Sequence, residues 1–199
     1  MQTQEALVSH LKQSGVLFSQ NLIDAFTYVD RVDFVRPEDR LRAYEDYPLP
    51  IGYGQTISQP YTVAFMLEAL QPAASDTVLD IGAGSGWTTA LLARCCKEVI
   101  GVERIESLVA FARRNLEPYA LPNASVISAS EHLGIPGRIF DKILVSAAAQ
   151  TLPHSLLGQL GNGGTLVIPV QHAIVVVRKS EVGEVFQSVF EGFSFVPLI

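Results

Sequence analysis

The chain has 199 residues, of which 48% are apolar and 17% charged, a length that suits one domain and a composition that argues against disorder. Its net charge of −6, from 20 acidic and 14 basic residues, lacks the footprint of a phosphate-backbone binder, so no nucleic acid is expected. The N-terminal MQTQEALVSHLKQSG has polar residues where a signal peptide carries an apolar core, and no run reaches the roughly 18 apolar residues of a membrane span, so no membrane is expected either.

Ala6, Leu7 and Leu11, then Leu22, Ile23, Phe26 and Val29, recur at helical spacing with QSG as a stop between them, which predicts two opening helices. VDFVRPEDR and YEDYPLP read as irregular connections, since proline cannot continue a helix interior. LPIGYGQTISQP, from Leu49 to Pro60, reads as a loop with strong backbone control and small donors, Tyr53, Thr56 and Ser58 among them. Ser58-Gln59-Pro60 predicts a helix entrance, with Ser58 at the cap, Pro60 near the first turn and Thr62–Leu70 as the helix.

From Thr77 the runs TVLDIG, EVIGVE, ASVISA, DKILVSA and GTLVIPV predict strands, with helices over Thr88–Cys96 and Ile105–Tyr119 between them. Strands alternating with helices imply βαβ units and a mainly parallel sheet. AIVVVRKS, EVFQSVF and FSFVPLI predict further strands, joined at Gly183 and Gly192, that end the sheet in an antiparallel section. The domain therefore divides into N-terminal helices and the loop over 1–75 and an α/β core over 76–199. The only cysteines, Cys95 and Cys96, are adjacent and read as packed or half-exposed helix thiols, which suits a reducing cytoplasm.

VLDIGAGSGW places Gly82, Gly84 and Gly86 after a strand and at the head of a helix, where backbone N–H groups stay free and a ligand can approach closely. A dinucleotide fingerprint requires its third glycine at position 87, and Trp87 stands there. Glu103 closes the next strand, placed to accept hydrogen bonds from both hydroxyls of a ribose and, as a strand-end carboxylate, expected to support no core. No Walker lysine is present. The pattern fits S-adenosylmethionine, with Asp80 near the cationic end of the ligand.

The blocks AYEDYPLPIGYGQTISQPYTVAFM, VLDIGAGSGWTTALLA, VERIESL, FDKILVSAAAQTLPHSLLGQL, GGTLVIPV and FVPL make the chain resemble the protein-L-isoaspartate O-methyltransferases over nearly its whole length. The resemblance implies a Rossmann-like, seven-stranded class I methyltransferase fold, mostly parallel with an antiparallel C-terminal section, preceded by helices. It implies S-adenosylmethionine as methyl donor, S-adenosylhomocysteine as product, and L-isoaspartyl residues of damaged proteins as acceptor. It implies that Ser58 positions the acceptor carboxylate, with Thr56, Ile57, Val196, Pro197 and Leu198 around it. It implies a cofactor site of Gln59, Asp80, Gly82, Ala83, Gly84, Ser85, Gly86, Glu103, Arg104, Ser130 and Glu131. Such an acceptor is ionised at neutral pH and requires no general base, so the scattered His10, His132, His154 and His172 read as structural or solvated, and no metal is expected.

The chain departs from the family at SASEHLGI, where Gly-Asp-Gly and then Gly-Trp are usual. Ser130 stands where an aspartate would meet adenine, and Ile135 where the tryptophan would be. Two alternatives follow: a degenerate cofactor-binding protein, or a methyltransferase with another acceptor. A cytoplasmic monomer is expected.

Overall fold

The computed structural model describes residues 3–198. Two helices open the chain as expected, α1 (Gln4–Gln13) and α2 (Gln20–Tyr28). Thr3 caps α1, its hydroxyl accepting from the Ala6 N–H at 3.2 Å. The start of α2 is closed from afar: Glu68 accepts from the N–H groups of Phe18 and Ser19, at 2.8 Å each, and from the Ser19 hydroxyl at 2.6 Å.

The next segment is more regular than its prolines suggest. Short 3-10 turns span Arg31–Phe34 and Pro37–Arg42, each needing only local hydrogen bonds that proline at a first position permits. The predicted loop at Leu49–Pro60 is largely a hairpin. Strands β1 (Leu49–Gly52) and β2 (Gln55–Ile57) pair antiparallel, and Gly52, Tyr53 and Gly54 all hold positive φ at the turn. Helix α3 (Pro60–Leu70) starts two residues before the expected Thr62, with Pro60 at its first position. Its cap residue is Gln59, so the expected cap at Ser58 is overturned.

The main sheet holds β3 (Thr77–Ile81), β4 (Glu98–Glu103), β5 (Ala124–Ser128), β6 (Phe140–Val145), β7 (Leu160–Val170), β8 (Ala173–Lys179) and β9 (Val185–Glu191). Their order is β5-β4-β3-β6-β7-β8-β9, parallel up to β7 and antiparallel for the last two pairings. Between the parallel strands lie α4 (Trp87–Ala93), α5 (Glu106–Leu116) and the single turn α6 (His154–Leu157). Of FSFVPLI, expected as a strand, Ile199 lies outside the described residues and residues 193–198 are a strap with one bridge, Ala148 to Pro197. Pro197 has no N–H to continue a ladder, while Phe193 and Phe195 pack onto the core.

Alternation along β3 separates two apolar layers. Val78 joins a cluster built with side chains of α1 to α5, whereas Leu79 and Ile81 join a second one with Phe140, Ile143, Leu156 and Leu166. The first layer includes residues from both sides of position 75. Cys95 and Cys96 lie just past α4 and not on a helix; both are free and buried, and burial pushes the Cys95 thiol up to about 11.

Candidate active site

The site forms where β3, β4, β5 and β6 end. After β3 the chain hooks onto β4, the N–H groups of Gly82 and Ala83 donating to the Val102 carbonyl at 2.8 and 3.2 Å. Gly82, Gly84 and Gly86 all have positive φ. A Cβ at Gly86 would lie 3.2 Å from that of Ala112, so this glycine lets the loop close onto α5.

Glu103 is 6% exposed and already engaged. One carboxylate oxygen accepts from the Gly84 N–H at 3.0 Å and the other from the Ile105 N–H at 2.9 Å. Each oxygen keeps a lone pair for a ligand. The expectation that this carboxylate matters little to stability because it supports no core is therefore corrected: it ties the glycine loop to the entrance of α5.

Three connected spaces meet here. The first is a cavity of about 510 Å³ with Ile81, Gly82 and Val102 at its base. Glu103, Arg104 and Ile105 form one wall, residues 129–134 the other, and Gln55, Ala147, Pro197 and Leu198 close it. The second is a narrow throat of about 60 Å³ between the β1–β2 hairpin and the Gly82–Ser85 loop. The third is a cleft of about 650 Å³ lined by Thr56, Ser58, Gln59, Tyr61, Thr62 and the segment 191–196. Gln55, Gly82, Glu103 and Ala147 belong to both cavity and throat. Thr56, Ser58, Ser146 and Val196 belong to both throat and cleft.

Most expected site residues fall on this path. Thr56, Ile57 and Ser58 line the throat with Gly82, Ala83, Gly84 and Ser85, while Arg104, Ser130 and Glu131 line the cavity. Others are displaced. Gln59 faces the cleft, its side-chain oxygen accepting from Thr62 at 3.3 Å, and does not line the cavity. Pro197 and Leu198 close the cavity, and of that trio only Val196 reaches the cleft. Gly86 lines none of the three spaces and serves packing.

Asp80 is also one layer back. It is fully buried, with one oxygen accepting from the hydroxyls of Thr88 and Thr89 at 2.7 Å each. Thr88, not Asp80, lines the throat. Burial pushes the Asp80 carboxyl up to about 6, against the pull of the two hydroxyls. Its other oxygen, the Ser85 hydroxyl and the Trp87 ring N–H are buried without partners. Unsatisfied buried polar atoms are uncommon in folded proteins.

Several residues carry the site without a sequence signal. Arg31 is wholly buried and donates to four carbonyls, those of Ala43, Glu45, Tyr47 and Ser58. Its guanidinium lies 5.3 Å from the Trp87 ring, and burial pushes its pKa down to about 9, so it stays charged at neutral pH. Gln55 and Ser146 line the throat. Ser146 follows β6 as Gly82 follows β3, which is the signal that marks it.

The family model for protein-L-isoaspartate(D-aspartate) O-methyltransferase matches residues 2–199. A protein-L-isoaspartate O-methyltransferase of Methanopyrus kandleri is 43% identical, over 98% of this chain and 90% of its own. One of Thermococcus onnurineus is 43% identical, over 96% and 91%. A Plasmodium falciparum protein assigned to the same activity and crystallised with S-adenosyl-L-homocysteine superposes with a TM-score of 0.85 at 25% identity, covering 100% of this chain and 99% of that one. A hairpin, a glycine loop and a strand-end acid meeting at one throat, in a sheet of this order, agree with that match over the full length, and the chain belongs to the protein-L-isoaspartate(D-aspartate) O-methyltransferase family.

Proposed function

We propose that the chain transfers the methyl group of S-adenosylmethionine to the free carboxylate of L-isoaspartyl residues in damaged proteins, with S-adenosylhomocysteine as product. The observation that carries this is the throat, which joins a nucleoside-sized cavity to an open cleft and has Thr56 and Ser58 at its mouth. The cavity is within the range typical of small-molecule sites. The free lone pairs of Glu103 suit two ribose hydroxyls, and Asp80, one layer behind the throat, can favour a cationic ligand end only through its field. The bound donor supplies an electrophilic methyl group on a sulfonium.

The chain itself contributes alignment. A carboxylate with an ordinary pKa near ~4 enters already ionised. The cleft offers hydroxyls from Thr56, Ser58, Tyr61 and Thr62, and among the described residues that line it there is no lysine or arginine. Neutral donors can hold the carboxylate without neutralising it, so it stays nucleophilic. The hairpin on one side and the strap 193–198 on the other exclude water. The two alternatives, a degenerate binder and another acceptor, gain no observation in their favour. No helix among the described residues is long and apolar enough to cross a membrane. Free, buried cysteines suit a reducing compartment such as the cytoplasm.

An assay with methyl-labelled donor decides the matter. Label should enter an isoaspartyl peptide as a base-labile ester and leave the normal aspartyl peptide unlabelled. A chain that binds S-adenosylhomocysteine yet labels neither peptide would overturn the acceptor.

A further inference from the structure

The wall of the large cavity formed by residues 129–134 has no regular secondary structure. It starts firmly, with the Ala129 N–H donating to the Glu103 carbonyl at 2.8 Å. Ser130 cannot offer its hydroxyl freely, because that hydroxyl accepts from the His132 N–H at 3.2 Å and donates to the His132 carbonyl at 3.1 Å. Recognition of a flat heterocycle along this wall therefore falls on the neighbouring Glu131 and His132 and on backbone groups, all of which recognise only as well as the loop is shaped.

The far end of the wall is shaped by one side chain. Gln159, 4% exposed and outside the cavity, accepts from the Ile135 N–H at 2.7 Å. Its amide nitrogen donates to the carbonyls of Leu133 at 2.9 Å and Ser155 at 3.2 Å. The side-chain amide thus grips residues 133 and 135 as a neighbouring strand would, and α6 holds the amide. Between them Gly134 has φ +77°, and a Cβ there would collide with the Gln159 amide. Gly134 is thus needed twice, for its backbone conformation and for the room it leaves the Gln159 amide.

We propose that Gln159, with Gly134, is the positioning residue for the cavity wall and sets how tightly the chain holds the adenosine portion of its methyl donor. This rests on the reading that the cavity takes S-adenosylmethionine. Calorimetry with S-adenosylhomocysteine and with adenosine tests it on the parent, Gln159→Met, Gly134→Ala and the double variant Gln159→Ala/Gly134→Ala. Gln159→Met loses the grip at nearly constant volume. It should weaken both ligands by the same factor, about 5- to 30-fold, as expected for one or two buried hydrogen bonds. Gly134→Ala should do the same from the other side, and the double variant should be no worse than the poorer single one, because truncation makes room for the new Cβ. In turnover the KM for S-adenosylmethionine should rise while kcat at saturation stays within about twofold. Unchanged adenosine affinity with a lowered melting temperature would make Gln159 merely structural and overturn the proposal, as would a fall in kcat at constant KM. A parent that does not bind S-adenosylhomocysteine would instead remove the cofactor reading beneath it.

Discussion

Ser58 makes no hydrogen bond through its hydroxyl among the described residues, and the helix behind it starts at Gln59 and Pro60. Removing that hydroxyl should therefore cost chemistry and little stability. Ser58→Ala should lower turnover of an isoaspartyl peptide roughly tenfold to somewhat over a hundredfold, for a loss of ~1–3 kcal/mol in the transition state. Melting should shift by no more than about 0.5 kcal/mol, as for a change that touches no structural contact. Parent-rate methylation by the variant would exclude Ser58 from the mechanism. Glu103→Ala should behave differently, because its carboxylate serves both the ligand site and two backbone N–H groups. Binding of S-adenosylhomocysteine should weaken by roughly 1.5–3 kcal/mol, and stability should fall by about 1–3 kcal/mol as the Gly84 and Ile105 N–H groups lose their acceptor. Titration beside thermal melting separates the two effects; a melting point equal to the parent's would mean that water replaces both bonds. Asp80 predicts a pH effect. Its carboxyl is raised from 3.8 to about 6, so between those values the folded chain holds a proton that the unfolded chain has lost. Stability should fall as pH rises through that window, by up to about 3 kcal/mol, and stay level above it. Denaturant unfolding of parent and Asp80→Asn from pH 4.5 to 7 checks this, since only the parent should show the slope; parallel profiles would refute it.

The hairpin β1–β2 and the 3-10 segment before it are held by Arg31. Four carbonyls from two stretches of chain, residues 43–47 and Ser58, converge on one guanidinium, which matches their directions through its planar fork. Arg31→Met should destabilise the fold by about 3 kcal/mol or more, as when a buried polar network loses its centre. Arg31→Lys should recover little, because one ammonium cannot face all four acceptors. A lysine variant with the parent's denaturation midpoint would show that charge alone suffices. This arrangement also marks where reading by sequence stops. The glycine loop and Glu103 were legible, because strand, turn and helix follow one another within 25 residues and their chemistry is local. Arg31 was not, since its partners are carbonyls of residues 43–58, which every residue type possesses. Gln159 was equally silent, lying 24 residues from the Ile135 it holds. The hairpin was taken for a loop because its strands are short and carry the glycines and prolines that usually break strands. The resemblance places Val196, Pro197 and Leu198 together at the acceptor, but the strap crosses from the cleft to the cavity between Val196 and Pro197, which no local pattern announces.

On the scale of the molecule, helices α1 to α5 share one apolar layer with the sheet, so the N-terminal section and the sheet are one packing unit. Their unfolding should be a single transition in which fluorescence of Trp87, buried between Phe26 and Arg31, and far-ultraviolet dichroism coincide. Two separated midpoints would show that the N-terminal helices melt independently. The sheet itself ends at β9, every residue of which is exposed, with Phe186, Val189 and Phe190 among the large apolar side chains in water. Its outer row of amides and carbonyls is a template on which another extended chain can crystallise, and apolar strands of this kind seed fibrils. Glu181 and Glu184 precede the strand and Glu191 ends it. Two copies pairing antiparallel about Ser188 would bring Glu184 of each close to Glu191 of the other, one pair of carboxylates at each end of the paired strands. Mutual repulsion then guards the edge at neutral pH and fades in acid or in high salt. A protein whose substrates are damaged chains thus carries, in Glu184 and Glu191, its own protection against becoming an aggregate with them.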